Sequence, residues 1–224
     1  MPSLTVENYL KAIIQLEAKA AAGSRVTTGK LADEMEVSPG TVTSMLKTLS
    51  ESQLVTYRPY EGVSLTESGT ALALRIVRRH RLIELFLVRT LNMTWDQVHD
   101  EAENMEHAVS DFLVDRIDAF LGHPETDPHG SPIPGADGSM RGTPEWTHTL
   151  ADCPPAAHVR FTRVVNQGNE FLRHLSESGL EIGGEGRVTE NNEQTGIVTT
   201  EIGSKPLSMS REAAGTIRVV LVTD

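Results

Sequence analysis

The sequence predicts a mainly α chain that opens with a winged helix-turn-helix, continues through a helical, carboxylate-rich middle and closes on a small β-barrel. Three observations carry this. Apolar residues recur at spacings of three and four up to about residue 121, a β-branched and aromatic hairpin interrupts them at 54–65, and beyond residue 155 short β-prone runs alternate with Gly, Asn and Ser clusters. With 224 residues, 38% of them hydrophobic, the chain can fill one or two small cores and is not a fully disordered polymer. No run approaches the ~18 residues of an apolar membrane span, and the N-terminus lacks a secretory signal pattern, so the expectation is a cytoplasmic protein without a membrane partner.

Tyr9, Leu10, Ile13, Ile14 and Leu16 mark a first helix. Thr28 is placed to cap a short helix running through Met35, and Val37-Ser38-Pro39-Gly40 then turns the chain into a second helix over 41–49. On that helix Val42, Met45, Leu46 and Leu49 form an inner stripe and leave Thr41, Thr43, Ser44, Lys47 and Thr48 outside. Small polar groups of this kind enter a major groove, and Lys47 suits a phosphate. The hairpin that follows carries Arg58 toward the neighbouring backbone or minor groove. Candidate DNA contacts are thus Thr28, Ser38, Pro39, Gly40, Thr41, Thr43, Ser44, Lys47 and Arg58. Two short helices with a polar face also occur in proteins that never touch DNA; the hairpin and the local charge favour the DNA reading.

Charge supports this division. The chain as a whole is at −11, which argues against a nucleic-acid binder, yet residues 1–81 hold ten Lys/Arg against eight Asp/Glu. Residues 82–135 hold two Arg against eleven acids, together with four His. From Gly122 to Pro154 lie six Pro and five Gly, which marks an ordered loop or linker. Strands are expected at 158–165, 180–188, 196–202 and 215–222, with a helical piece at 169–176.

The densest chemistry lies at 96–110. At ~100° per residue, His99, Glu103, Glu106 and His107 share one helical arc, and His80 and Glu84 sit four apart on an earlier helix. The single cysteine, Cys153, excludes a thiolate-rich site, so a bound metal would be held by imidazole and carboxylate, a set suited to Mn²⁺, Fe²⁺, Co²⁺ or Zn²⁺. A solvated acidic face is the plain alternative. Two imidazoles among like charges favour ligation, because a cation relieves the repulsion. A carboxylate/histidine metalloenzyme of a helical bundle would need Glu-x-x-His on two facing helices, and the one instance, Glu145 to His148, falls in the Pro/Gly-rich span.

Four motifs in order, Glu7-Asn8-Tyr9-Leu10-Lys11, Arg79-His80-Arg81-Leu82-Ile83-Glu84, Val98-His99-Asp100-Glu101-Ala102-Glu103 running into Glu106-His107, and His123-Pro124 followed by Asp127-Pro128-His129-Gly130-Ser131-Pro132, give the chain its resemblance. It resembles the diphtheria-toxin-repressor family of metal-dependent transcriptional regulators, in particular manganese-responsive members with a C-terminal SH3-like domain. The resemblance implies a winged helix-turn-helix DNA-binding domain over 1–72, a helical metal-binding and dimerisation domain over 73–140, a linker over 141–154 and an SH3-like domain over 155–224. It implies an activating site of Glu103, Glu106 and His107 completed from residue 8, and an ancillary site of His80, Glu84 and His99, with Asp127 and His129 matching further ligands of some relatives. Glu103 stands where iron-sensing relatives carry Cys, which moves preference toward Mn²⁺, with Fe²⁺ the other physiological choice and Co²⁺, Zn²⁺ or Cd²⁺ as surrogates. Asn8 replaces Asp or Met, and Lys11 replaces the Glu of two-domain manganese sensors, which implies separate primary and ancillary sites. The implied partners are a second copy of the chain and palindromic double-stranded DNA, and the implied role is a repressor of metal-uptake genes rather than an enzyme. A protein-recruiting role for the SH3-like domain is the other reading.

Overall fold

A computed structural model describes residues 3–19, 24–142 and 147–222. They form two compact units, one of Met1–Arg79 with Pro134–Ser139 and one of His80–Ile133 with Met140–Asp224. No helix among the described residues is long and apolar enough to cross a membrane.

The first unit holds α1 (Leu4–Lys19), α2 (Thr28–Glu34), α3 (Pro39–Glu51), the hairpin β1 (Val55–Arg58) and β2 (Gly62–Leu65), and the start of α4 (Glu67–Leu91). Leu10, Ile13, Leu31, Val42, Leu46, Leu49 and Val63 are completely buried and share one core, so the apolar stripes of the three short helices and the inner face of the hairpin meet. The cap of α2 is Thr27, one residue before the expected Thr28: Thr27 has the extended backbone a cap requires and accepts the Lys30 N–H at 3.3 Å, whereas Thr28 is already helical. At α3 the expected start is present, with Ser38 accepting the Thr41 N–H at 3.2 Å and Pro39 in the first turn. The hairpin pairs Val55 with Leu65 and Arg58 with Gly62. Val26 and Val63 exchange hydrogen bonds of 2.9 Å each, which extends the wing by one bridge. Gly62 has φ 105°, and a Cβ there would stand 2.5 Å from the Val26 carbonyl oxygen, so this turn requires glycine.

The second unit begins with the rest of α4 and adds α5 (Val98–Glu106) and α6 (Asp111–Phe120). Ile83 and Leu87 pack on Val98 and Ala102 of α5, while Leu82 and Leu85 pack on Val114, Ile117 and Leu121. Two adjacent faces of α4 thereby fix both following helices. His107 is the C-cap of α5 and Ser110 the N-cap of α6, its side chain accepting the Leu113 N–H at 3.3 Å.

The remainder of this unit is an antiparallel six-stranded sheet of order β3-β8-β4-β5-β6-β7, with β3 (His148–Thr149), β4 (His158–Val164), β5 (Glu185–Asn192), β6 (Ile197–Ile202), β7 (Lys205–Ser210) and β8 (Ile217–Leu221). α7 (Asn169–Glu177) lies between β4 and β5 in the chain, and Phe161, Leu172, Leu175, Val188, Val198 and Val219 fill the core. Three expectations change here. The stretch 141–154, read as linker, contains β3, which pairs His148 with Val219 and so joins the sheet. The strand expected from 180 begins only at Glu185, because Gly179 and Gly183 turn the chain with φ 85° and 87°. β7 lies outside the expected strands; it contains Pro206, which an edge strand tolerates. Strands β3 and β7 end the order and no pairing joins them among the described residues, so the hydrogen-bond ladder forms a sheet and does not close the expected barrel.

Candidate metal centre

α4, α5 and the loop after α6 bring eight of the predicted ligands together. The i, i+4 spacing of His80 and Glu84 puts both on one buried face of α4, with His80 Nε2 2.9 Å from Glu84 Oε1. His80 Nδ1 stands 2.7 Å from Glu106 Oε2 and 3.8 Å from Glu103 Oε1 on α5. His99 Nδ1 lies 3.4 Å from Glu84 Oε1, and its Nε2 lies 3.8 Å from Glu103 Oε1. His107 Nε2 faces Glu106 Oε1 at 3.3 Å. From the loop, His129 Nδ1 approaches Glu84 Oε2 at 3.7 Å and Asp127 Oδ1 at 3.9 Å.

These contacts form three groups whose ligand atoms lie within 4.8 Å of one another: Glu103 with Glu106 and His107, His80 with His99 and Glu103, and Glu84 with Asp127 and His129. Glu103 belongs to two of them, and Glu84 touches His80, His99 and His129. The groups are therefore linked through shared residues. Sequence periodicity exposed the α5 face and the His80/Glu84 pair, but nothing in it placed Glu84 against the loop.

The electrostatics of the network are those of an acidic pocket balanced by imidazoles. Burial pushes the Glu84 carboxyl up, but His80, reinforced by His129 and His99, outweighs this and holds it well below the usual carboxylate range. Burial and the neighbouring Glu84 push Asp127 up against the pull of His129 and Arg81. Burial would lower His129, yet Glu84, Asp127 and the Trp95 carbonyl raise it. Glu84 Oε2, Asp127 Oδ2 and His129 Nδ1 are buried without a hydrogen-bond partner. These buried atoms of hard or borderline character, one of which, Asp127 Oδ2, lies 3.6 Å from Arg81 Nε, fit a divalent cation, because coordination satisfies groups that hydrogen bonding leaves unmet.

The other predicted residues lie as follows. Asn8, on α1, keeps a buried Oδ1 without a hydrogen-bond partner, whereas Glu7 faces Arg79 at 3.9 Å. His148 is on β3, and Glu145 lies outside the described residues. Among the DNA candidates, Ser38, Pro39, Gly40, Thr41, Ser44 and Lys47 are exposed along the start and outer face of α3, and Thr28 is half-buried in the first turn of α2. Thr43 is half-buried and its hydroxyl donates to the Pro39 carbonyl at 2.8 Å. Arg58 is exposed on the wing, and its guanidinium meets Glu61 at 3.3 Å, which reduces the charge it offers a phosphate.

Three family descriptions match the chain in sequence: the N-terminal DNA-binding domain of the iron dependent repressor over 1–63, its metal binding and dimerisation domain over 66–135, and the FeoA domain over 148–221. The chain is 30% identical to the diphtheria toxin repressor of Corynebacterium glutamicum over 223 residues, covering 96% of this chain and 95% of that protein. The chain belongs to the diphtheria-toxin-repressor family. The iron-dependent repressor IdeR of Mycobacterium tuberculosis is likewise 30% identical, with 96% of each chain covered. Among solved structures, a manganese-dependent transcriptional repressor in complex with manganese superposes with a TM-score of 0.86 at 39% identity, covering 97% of this chain and all of that one. ScaR with bound Zn²⁺ gives a TM-score of 0.82 at 30% identity, over 99% of this chain and all of ScaR. This member of the family is accordingly a metal-dependent transcriptional repressor, and the metalloenzyme alternative falls away.

Proposed function

We propose that the chain is a cytoplasmic, manganese-responsive repressor of metal-uptake genes that binds palindromic operator DNA as a homodimer. The observation that carries this reading is the carboxylate–imidazole network of α4 and α5, which contains no thiolate and is built from the hard and borderline donors that suit Mn²⁺ or Fe²⁺. Solved relatives are complexes with manganese, Zn²⁺ and Cd²⁺, and other relatives are named iron-dependent, which supports one family of divalent cations and a set of surrogates. Glu103, Glu106 and His107 are proposed as the activating set. The family resemblance assigns the completing group to residue 8, which is Asn8 in this chain. His80, Glu84 and His99, extended by Asp127 and His129, are proposed as the ancillary set.

A bound divalent cation supplies the positive charge that these carboxylates lack. Ligation requires carboxylates in the ionised form and imidazoles in the neutral form, so activation weakens as the pH falls through the imidazole range. Phe112, Leu113 and Phe120 of α6 and Leu91 at the end of α4 are exposed apolar residues of the matched dimerisation domain, and we assign the copy-to-copy contact to them. Each copy would present Ser38 to Lys47 to one half-site, with half-sites about 34 Å apart. An SH3-like character of the C-terminal domain is a further part of this reading, supported by the FeoA match.

The test is operator binding by the wild type and by Glu106→Ala, each with and without Mn²⁺. Tight binding by the wild type with Mn²⁺ alone is the expected outcome. Equal affinity in all four cases would remove the metal switch.

A further inference from the structure

His129 is held on two sides, by the segment before α5 and by strand β4 of the C-terminal sheet. Its Nε2 lies 3.0 Å from the Trp95 carbonyl, which can only accept, so Nε2 carries the hydrogen. In the neutral ring this leaves the lone pair on Nδ1, the atom facing Glu84 and Asp127. The Trp95 indole stacks on the imidazole at 5.9 Å and 12° and fixes its plane. The Trp95 indole N–H donates to Ser176 Oγ on α7, and the Ser176 hydroxyl donates onward to the Leu172 carbonyl at 3.1 Å. Trp95 also packs against the core of the C-terminal sheet.

Ser176 does not act alone. Asn169, Arg173 and Ser176 follow one another at four- and three-residue steps along one face of α7. Asn169 Nδ2 donates to Asp100 Oδ2 at 3.4 Å, and Arg173 Nε meets Asp96 Oδ2 at 3.5 Å, so the same stripe engages residues 95, 96 and 100. On the other side, the Val164 N–H of β4 donates to the His129 carbonyl at 2.9 Å. A Cβ on the adjacent Gly130 would stand 2.0 Å from the Thr162 carbonyl oxygen.

We propose that Trp95 is the positioning residue of His129 and that Ser176 holds Trp95, so that cation affinity at Glu84, Asp127 and His129 depends on how α7 and the C-terminal sheet seat against the helical layer. The proposal rests on the metal-centre reading. Because such coupling is reciprocal, cation binding tightens the seating of α7 as much as that seating raises cation affinity. Supporting groups of this kind typically change metal affinity about 10- to 100-fold.

The experiment titrates Mn²⁺ into the full chain by equilibrium dialysis, and follows Trp95 fluorescence in a Trp146→Phe background, since the chain has only these two tryptophans. His129→Ala, Trp95→Phe, Ser176→Ala and Ser176→Thr are compared, with melting curves as the folding control. His129→Ala should lose one binding step. Trp95→Phe, which keeps the stack and loses the indole donor, and Ser176→Ala should keep that step with affinity lowered about tenfold by dialysis, and Ser176→Ala should also weaken the Mn²⁺-dependent Trp95 fluorescence change. Ser176→Thr should restore both. If His129→Ala binds Mn²⁺ as the wild type does, the metal reading of this group fails. If His129→Ala loses the step while Trp95→Phe and Ser176→Ala bind normally, the ligand group stands and the proposed clasp is overturned.

Discussion

Replacing Glu84 with Gln tests the centre at its most connected residue. Glu84 is completely buried, and its two oxygens reach His80 at 2.9 Å, His99 at 3.4 Å and His129 at 3.7 Å. Gln keeps the shape and an acceptor oxygen but removes one negative charge from a set of groups that lie within 4.8 Å of one another. At an effective dielectric constant of about 20, one unit charge at ~4 Å is worth about 4 kcal/mol. Against a divalent ion, partly offset by relaxation, the expected loss of Mn²⁺ affinity is at least about a hundredfold. Isothermal titration of Mn²⁺ against wild type and Glu84→Gln measures it, with Glu125→Gln, an exposed carboxylate outside the three groups, as the control for net charge. Should Glu84→Gln bind Mn²⁺ within about threefold of the wild type with the same stoichiometry, the shared-carboxylate argument is wrong.

Three further outcomes are expected. Ser38→Ala removes the α3 cap and should cost about 1 kcal/mol of stability, read as a lower melting temperature together with weaker operator binding in a mobility shift. Phe120→Glu places a charge on the exposed α6 face and should raise the dimer dissociation constant at least about tenfold by sedimentation; an unchanged constant would move the interface elsewhere. The Cys153 thiol, buried with its pKa pushed up to about 11 by burial and then by Asp152, should resist alkylation at pH 8 until the chain unfolds. A folded-state pKa raised above its unfolded value of about 9 adds stability that is fully present below pH 9 and lost as the pH rises toward 11, so a base-induced drop in melting temperature that Cys153→Ser abolishes is the corresponding readout.

Local chemistry was legible in the chain wherever a few consecutive residues determine the geometry. Ser38 and Pro39 start a helix by capping and by a fixed φ, with no long-range partner needed. His80 and Glu84 face each other because a helix repeats at that spacing. The α5 face was legible even though that helix ends at Glu106, since His107 as its cap keeps near-helical backbone (φ −86°, ψ −19°). The two strands that escaped notice, β3 and β7, sit at the ends of the sheet order; one has two residues and the other contains a proline, so neither carries the alternation that a central strand must show.

Sequence alone thus determined the winged helix-turn-helix, the thiolate-free donor chemistry and the family to which the chain belongs, because each is written in residue types at short, regular spacings. Tertiary structure alone decided that Glu84 is shared between α5 and the loop, that Asp127 and His129 are fully enclosed, and that a backbone carbonyl, that of Trp95, sets which nitrogen of His129 is free to ligate. Every residue has a carbonyl, and its place in space follows from how α4, the segment before α5 and the loop pack together, which no local spacing encodes.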